Sequence, residues 1–148
     1  MAVGRYVADK SAFEQQRHSE AAAGLLRALA GDGALHMTES VALELLYSAR
    51  NAEDYRTRWD DLATLPWLRL TEAVAGRALA IQRQLADLGQ HRRSIPDLLV
   101  AATALEHDAT VLHYDHDFDL IAEVTGLSTR WIIPPGTGHG RTWRVSPL

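Results

Sequence analysis

No cysteine occurs among the 148 residues of the chain. Disulfide bonds, thiolate ligands for a metal and nucleophilic catalysis by a thiol are therefore excluded. Lysine is nearly as rare, because Lys10 is the single lysine and the other 14 basic residues are arginines. The formal net charge of −4 argues against broad, nonspecific binding of nucleic acid. Local binding of phosphate stays open, since one arginine can hold a phosphate through two hydrogen bonds.

Long apolar runs and targeting signals are also missing. No stretch of about 18 apolar residues is present, so we expect no membrane span. The first residues, Met1–Arg5, lack the apolar core of a secretory signal, and we expect a cytoplasmic protein. The chain has neither a glycine-rich phosphate loop nor a dinucleotide-binding fingerprint, and Ser11 lacks the flanking glycines of a serine hydrolase.

The chain does contain short apolar segments that alternate with helical patterns. A composition of 47% hydrophobic and 23% charged residues suits one globular domain over residues 1–148. The predicted strands span residues 5–8, 34–37, 67–70, 110–113 and 130–133, and the predicted helices span residues 10–16, 19–30, 39–48, 52–65, 72–88, 95–107 and 117–125. Such alternation is typical of a layered α/β fold with a mostly parallel sheet. Residues 134–148 are predicted to form an extended tail.

Four acidic residues stand beside or within apolar segments, where an unpaired carboxylate is costly. Asp9 and Asp115 each follow a predicted strand, and Asp97 begins the helix that leads into the strand before Asp115. Glu44 lies in the middle of a predicted helix. Sites in parallel sheets form beyond the carboxyl ends of the strands. If the fold brings these acids together, their repulsion requires a cation, and oxygen ligands favour Mg²⁺ or Mn²⁺.

Each acid also has a purely structural explanation. Asp9 and Asp97 both stand at the start of a predicted helix, where a carboxylate caps the backbone or meets the positive end of the helix dipole. Asp115 and Asp117 suit a turn or an N-cap before the helix that follows. Glu44 would face solvent, on the side of its helix away from a core stripe. A metal site is predicted only if the acids meet.

Two other metal patterns are weaker. The run Asp115–Asp119 begins like a calcium loop, but Leu120 stands where the turn glycine is required and Gly126 where the bidentate glutamate is required. His113 and His116 flank Asp115 and could bind zinc, yet no further ligands complete a zinc pattern.

The ordered set of acidic segments resembles PIN-domain ribonucleases, specifically VapC-type toxins of type II toxin–antitoxin systems. Ala8–Phe13 is similar to the opening of these proteins, and Glu44 matches the helix with their second acid. Ile95–Ala104 is similar to the segment with the third acid, and Val111–Phe118 to the segment with the fourth. The resemblance runs to about Ile133, and no single motif is specific, whereas their order is.

The resemblance implies a PIN-like three-layer α/β/α fold with a short, mostly parallel central sheet. It also implies a Mg²⁺-dependent endoribonuclease, with Mn²⁺ as an alternative ion. Asp9, Glu44, Asp97 and Asp115 would be the catalytic residues, and Asp9, Asp97 and Asp115 would bind the metal directly. Glu44 would act through metal-bound water or hold a second ion. The family pattern more often has a threonine and a basic residue where this chain has His113 and Tyr114.

Five further residues are candidates for supporting roles. Ser11 is placed to hydrogen-bond a ligand carboxylate, although it could equally be an ordinary helix-start hydroxyl. Asp117 is a weaker metal candidate, for which we favour helix N-capping. Lys10, Arg92 and Arg93 are candidates for binding RNA phosphates, and the alternative for the two arginines is a solvated loop.

Partners follow from the resemblance as well. The family implies a VapB-type antitoxin and a homodimer, and the early helices over residues 10–30 and 38–65 carry enough apolar residues for a partner surface. Arg141, Trp143 and Arg144 in the tail suit either stacking on RNA or packing against the domain itself. The alternative to an enzyme is a catalytically inactive PIN-like module that binds RNA or protein.

Overall fold

The computed structural model describes residues 4–138. At its centre, four parallel strands form a sheet in the order β2–β1–β3–β4. The strands are β1 Tyr6–Ala8, β2 Leu35–His36, β3 Thr110–His113 and β4 Thr129–Trp131. The helices are α1 Lys10–Gln15, α2 Glu20–Gly31, α3 Glu39–Tyr47, α4 Ala52–Ala63, α5 Glu72–Asp87, α6 Ile95–Glu106 and α7 Asp117–Thr125. The predicted α/β class and the mostly parallel sheet are confirmed.

Helices cover both faces of the sheet because successive strand residues point to opposite sides. Val7 and Val111 are fully buried and pack into a core with helices α3, α5, α6 and α7. Ala8 and Leu112, the next residue of each strand, pack into a second core with α1 and α2. Each core lies between the sheet and one layer of helices, which gives a three-layer α/β/α arrangement.

Helix α6 runs through the larger core. Its sequence is apolar on almost every side, and the residues from Val100 to Ala104 are all buried. A helix of this kind is stable only when neighbours surround it, and here α5 packs along it. The burial fixes the first turn of α6, and with it Asp97, near the carboxyl end of the sheet.

The predicted strand over residues 67–70 is wrong. Only an isolated bridge forms there, between Met37 and Trp67. The N–H of Leu68 still reaches the carbonyl of Met37 at 2.8 Å, but the N–H of Leu70 donates to a carboxylate oxygen of Glu39 at 3.0 Å. Since a side chain satisfies this backbone group, the segment leaves the sheet after one contact.

The predicted extended tail is also wrong over residues 134–138. Pro134 and Thr137 close a turn, in which the N–H of Thr137 donates to the carbonyl of Pro134 at 3.2 Å. The phenol oxygen of Tyr114 accepts the N–H groups of Gly136 at 3.0 Å and Gly138 at 2.8 Å. Residues 139–148, with the arginine and tryptophan candidates of the tail, lie outside the described residues, as do residues 1–3.

We expect Tyr114→Phe to destabilise the protein by about 1–3 kcal/mol, because two backbone donors lose their acceptor. Tyr114 itself is 1% exposed, so water cannot readily replace the phenol oxygen. Thermal unfolding should show a melting temperature lower by about 5 °C. Tyr55→Phe is the matched control, since Tyr55 is 45% exposed, and it should leave the melting temperature unchanged. Equal melting temperatures for Tyr114→Phe and the parent would show that the two hydrogen bonds accepted by Tyr114 contribute nothing to stability.

Within residues 4–138, no helix combines the length and the apolar character needed to cross a bilayer.

Candidate metal centre

Asp9 lies between β1 and α1 and does two things at once. Its backbone N–H extends the sheet by donating to the carbonyl of Leu112 at 2.9 Å. One carboxylate oxygen, Oδ2, caps α1 by accepting the N–H of Ser11 at 3.0 Å. The other oxygen, Oδ1, is buried and has no hydrogen-bond partner among the described residues. The structural explanation of Asp9 is therefore correct for one oxygen only, and the second is available to a ligand.

Ser11 supports Asp9, as its position next to the predicted ligand suggested. Its hydroxyl and its backbone N–H both lower the pKa of the Asp9 carboxyl, although burial raises that pKa more strongly. The same hydroxyl oxygen accepts the N–H of Tyr114 at 2.9 Å. Ser11 thus connects the loop after β1 to the loop after β3, where Asp115 follows.

Asp97 is the third residue of α6 and is 6% exposed. Its N–H donates to the Ser94 hydroxyl, which caps the helix at 3.4 Å. Burial above all, and then repulsion from Asp9, Asp115, Asp117 and Glu44 in that order, raise the pKa of the Asp97 carboxyl to about 9. The Asp97 carboxyl therefore lies close enough to four other acids to interact electrostatically with each of them.

Asp115 and Asp117 occupy a tight turn after β3. The Asp115 carboxylate accepts the N–H of Asp117 at 2.9 Å, and burial raises the pKa of Asp115 to about 6. The N-cap of α7 is His116, so the N-cap role predicted for Asp117 is wrong. Asp117 is instead the first residue of the helix, and its carboxylate accepts a hydrogen bond from Arg93 at 2.8 Å.

The tightest group of oxygens differs from the predicted ligand set. One carboxylate oxygen each from Asp97, Asp115 and Asp117 lie within 4.8 Å of one another. Two oxygens on opposite sides of a Mg²⁺ ion are about 4.2 Å apart, so a small contraction would place all three around one ion. Asp9 interacts with this group electrostatically but is not part of it. The predicted ligand trio of Asp9, Asp97 and Asp115 stays a prediction.

Glu44 does not face solvent, which corrects the structural explanation considered for it. The side chain lies half-buried on α3, and its Oε1 atom is buried without a hydrogen-bond partner among the described residues. Burial above all, together with repulsion from Asp9, raises the pKa of Glu44 to about 7, although Lys10 acts in the opposite direction. Glu44 thus belongs to the acidic cluster, despite lying mid-helix.

A family model described as "PIN domain" matches residues 10–124 of this chain. The chain belongs to the PIN-domain family. It is 48% identical over 109 residues to "Ribonuclease VapC51" of Mycobacterium tuberculosis, a match that covers 74% of this chain and 80% of that protein. It is 38% identical over 135 residues to "Ribonuclease VapC18" of the same organism, covering 89% of this chain and 98% of that protein.

Solved structures of the family agree with the fold. VapBC2 from Rickettsia felis, bound to a promoter DNA fragment, superposes with a TM-score of 0.70 at 18% identity, covering 85% of this chain and 97% of that one. DNA-bound VapBC from Salmonella typhimurium also gives 0.70, at 14% identity, covering 88% and 100%. At such identities the likeness establishes the PIN-like fold alone.

Among residues 4–138, neither His113 nor His116 belongs to the group of side chains that could hold a metal ion. The His113 ring is fully buried and packs against the tilted rings of Phe118 and Trp131, with ring centroids at 5.0 and 4.8 Å. Burial lowers the pKa of His113 to about 4, so its ring stays neutral, and its Nδ1 accepts the N–H of Asp115 at 3.1 Å. Within residues 4–138, the acidic group described above includes no histidine. His113 instead helps to orient the backbone at Asp115.

The cationic candidates of the PIN domain separate into two kinds. Lys10 is partly exposed, pairs with Glu14 at 3.4 Å and lies close enough to Glu44 to lower its pKa. Arg92 is exposed. Arg93 has only 6% of its side chain exposed and is engaged by Asp117 and Gln90, which does not suit the predicted contact with RNA phosphate. The sequence could not show this pairing, because Arg93 and Asp117 lie 24 positions apart.

Proposed function

We propose that this PIN domain is a Mg²⁺-dependent endoribonuclease and the toxin of a toxin–antitoxin pair. One observation carries the proposal: oxygens of Asp97, Asp115 and Asp117 lie within 4.8 Å of one another, and Asp9 and Glu44 are close enough to contribute to the raised pKa of Asp97. Repulsion of this kind is relieved by a bound cation. Relatives named as VapC ribonucleases, at 38–48% identity, support RNA as the substrate.

The residues present fit a hard divalent ion. Every group in the cluster is a carboxylate, and hard ions such as Mg²⁺ and Mn²⁺ prefer oxygen ligands. Asp9 Oδ1 and Glu44 Oε1 are both buried without a partner among residues 4–138, and a buried oxygen in that state is costly unless a ligand satisfies it. We infer that Asp97, Asp115 and Asp117 hold the ion, with Asp9 beside them.

The chemistry divides between the ion and the side chains. When bound, the ion would lower the pKa of a water and stabilise negative charge on the phosphoryl oxygens. Glu44 Oε1 is the acceptor available for a proton of the attacking water, because the atom is buried and unpaired among the described residues. Lys10 and Arg92 are placed to bind flanking phosphates, since both side chains reach solvent.

We propose a VapB-type antitoxin as the protein partner, because the structural neighbours are titled as VapBC complexes. A groove of about 460 Å³ lies between α1 and α4 and suits a segment of such a partner. It is lined by Phe13, Gln16, Arg17, Leu45, Arg58, Asp61, Leu62 and Leu65. A homodimer is proposed through a different surface, where Leu43, Tyr47 and Ile95 are 69%, 91% and 67% exposed.

The proposed function is tested by cleavage of a single-stranded RNA labelled with a fluorophore and a quencher. We expect cleavage with added Mg²⁺ or Mn²⁺, complete loss in excess EDTA and recovery when Mg²⁺ is returned in excess. Addition of the cognate antitoxin should inhibit the reaction. RNA binding without cleavage under all these conditions would instead favour the inactive binding module, and cleavage that persists in EDTA would contradict a metal-dependent enzyme.

A further inference from the structure

Arg93 is a buried cation beside an acidic cluster. Its burial fits neither of the two roles predicted for it, which were binding of RNA phosphate and a place in a solvated loop. Its side chain is 6% exposed, and Nη1 donates to Asp117 Oδ1 at 2.8 Å. An arginine held in this way is unavailable to a phosphate in solution. Its position next to three converging carboxylates therefore requires another explanation.

The guanidinium is itself held in place by a short loop. Its Nε donates to the carbonyl of Gln90 at 3.2 Å, and its Nη2 donates to the side-chain oxygen of Gln90 at 2.9 Å. The N–H of Gln90 in turn donates to the carbonyl of Leu85 near the end of α5, at 2.8 Å. Because the planar fork of arginine forms these bonds in fixed directions, Arg93 presents Nη1 to Asp117 from a rigid support.

Asp117 connects this support to the acids. An oxygen of its carboxylate lies within 4.8 Å of oxygens of both Asp97 and Asp115. Without a cation beside it, a carboxylate in that position would turn away from the other two, because like charges repel. The ion pair with Arg93 opposes this rotation, since the hydrogen bond from Nη1 fixes the direction of the side chain.

We propose that Arg93 is a positioning residue, which holds the Asp117 carboxylate against Asp97 and Asp115 so that Asp117 serves as the third ligand of the metal ion. The same loop also supplies Ser94, the N-cap of the helix that begins with Asp97. One segment of five residues, 90–94, thus contacts the carboxylate of Asp117 through Arg93 and the backbone of Asp97 through Ser94. This role rests on the proposed metal centre and adds to it a residue outside the acidic set.

Mn²⁺ affinity in the absence of RNA provides the test, measured by calorimetric titration of the full chain. Partners of metal ligands typically contribute 10–100-fold to affinity, so Arg93→Gln should weaken Mn²⁺ binding by about that factor. Arg93→Lys should recover part of the loss, because it restores the charge but not the fork. Unchanged affinity in Arg93→Gln would overturn the proposal, and tighter binding would too, since it would make Arg93 a competitor of the ion.

A double-mutant cycle separates positioning from general stabilisation. Asp117→Asn alone should also weaken Mn²⁺ binding, and Arg93→Gln should then have no further effect on affinity, because its action passes through Asp117. Additive losses would overturn the proposal. If Arg93→Gln fails to fold, Asp117→Asn still decides, because normal Mn²⁺ affinity in that variant would show that Asp117 is not a ligand.

Arg77→Gln is the matched control. It removes the same charge and breaks an ion pair with Glu106. Glu106 is the last residue of α6, whereas Asp97 lies in the first turn of that helix. Nine residues, or about 14 Å of helix, separate Glu106 from Asp97, and we expect unchanged Mn²⁺ affinity. If the parent and Arg93→Gln bind Mn²⁺ equally well, the positioning role of Arg93 is refuted and the proposed metal centre is not. A parent that binds Mn²⁺ but cleaves no RNA would refute the nuclease and leave the role of Arg93 intact.

Discussion

Replacing Asp97 with asparagine should abolish RNA cleavage and, at the same time, stabilise the metal-free protein. The loss of activity should be at least about 100-fold, because the change removes a carboxylate from the centre of the proposed ion site. The gain in stability has a separate cause. Burial and the neighbouring acids raise the pKa of Asp97 to about 9. Above pH 4 the unfolded chain therefore releases a proton that the folded protein keeps, and this difference lowers the free energy of unfolding. A neutral amide removes that cost.

Two measurements check this prediction on the same samples. Fluorogenic RNA cleavage with excess Mg²⁺ gives the activity, and thermal unfolding in EDTA gives the stability, which should rise by about 5 °C in melting temperature at pH 8. The rise should shrink towards pH 4, where the unfolded carboxyl is itself protonated. Asp60→Asn, at an exposed position of α4, serves as the control and should change neither quantity. An Asp97→Asn variant that cleaves RNA like the parent would remove Asp97 from the mechanism.

The stability of the metal-free protein should decrease as the pH rises from 5 to 9. Three carboxyls in the cluster have pKa values raised by burial above all, to about 6 for Asp115, about 7 for Glu44 and about 9 for Asp97. The folded state therefore binds more protons than the unfolded state across this range, and the slope of stability against pH is negative. Below pH 4 the contribution of these groups is fully favourable, and it is lost as the pH passes through the raised pKa values.

Saturating Mg²⁺ should reverse the trend. The ion binds deprotonated carboxylates, so its affinity increases with pH as the protons leave. It also binds the folded state alone, which stabilises that state by mass action. We expect melting temperatures in EDTA to fall by roughly 5–10 °C between pH 5 and 9, and the curves with Mg²⁺ to be flat or rising. Parallel curves with and without Mg²⁺ would argue that no ion enters the cluster.

Most of the architecture was predictable because it depends on local patterns. The seven helices of residues 4–138 lie at nearly their expected positions, and in four of them a side chain caps the first turn, namely Ser19, Asn51, Thr71 and Ser94. The strand expected over residues 67–70 failed for the opposite reason. Its residues have strand propensity, but pairing depends on the neighbouring strand, and β2 is only two residues long.

The candidate site was predictable in part. Its core of Asp9, Glu44, Asp97 and Asp115 was expected from the order of acidic segments in the chain, and the structure brings these four acids close enough to interact electrostatically. Their catalytic roles stay predictions. The pairing of Arg93 with Asp117 was not foreseen, and both residues had been assigned other roles, in RNA binding and in N-capping. Because Arg93 and Asp117 are 24 positions apart, the sequence around each residue does not indicate that they form an ion pair.

The sequence by itself determined the fold class and which acids stand at the ends of strands and helices, because hydrophobic periodicity and capping act over a few neighbouring residues. Tertiary structure alone decided which carboxylate oxygens remain unpaired, which three lie within 4.8 Å of one another and which cation is buried beside them. Burial and electrostatic repulsion depend on distances between residues remote in the chain, and those distances exist only once the sheet and its helices have packed.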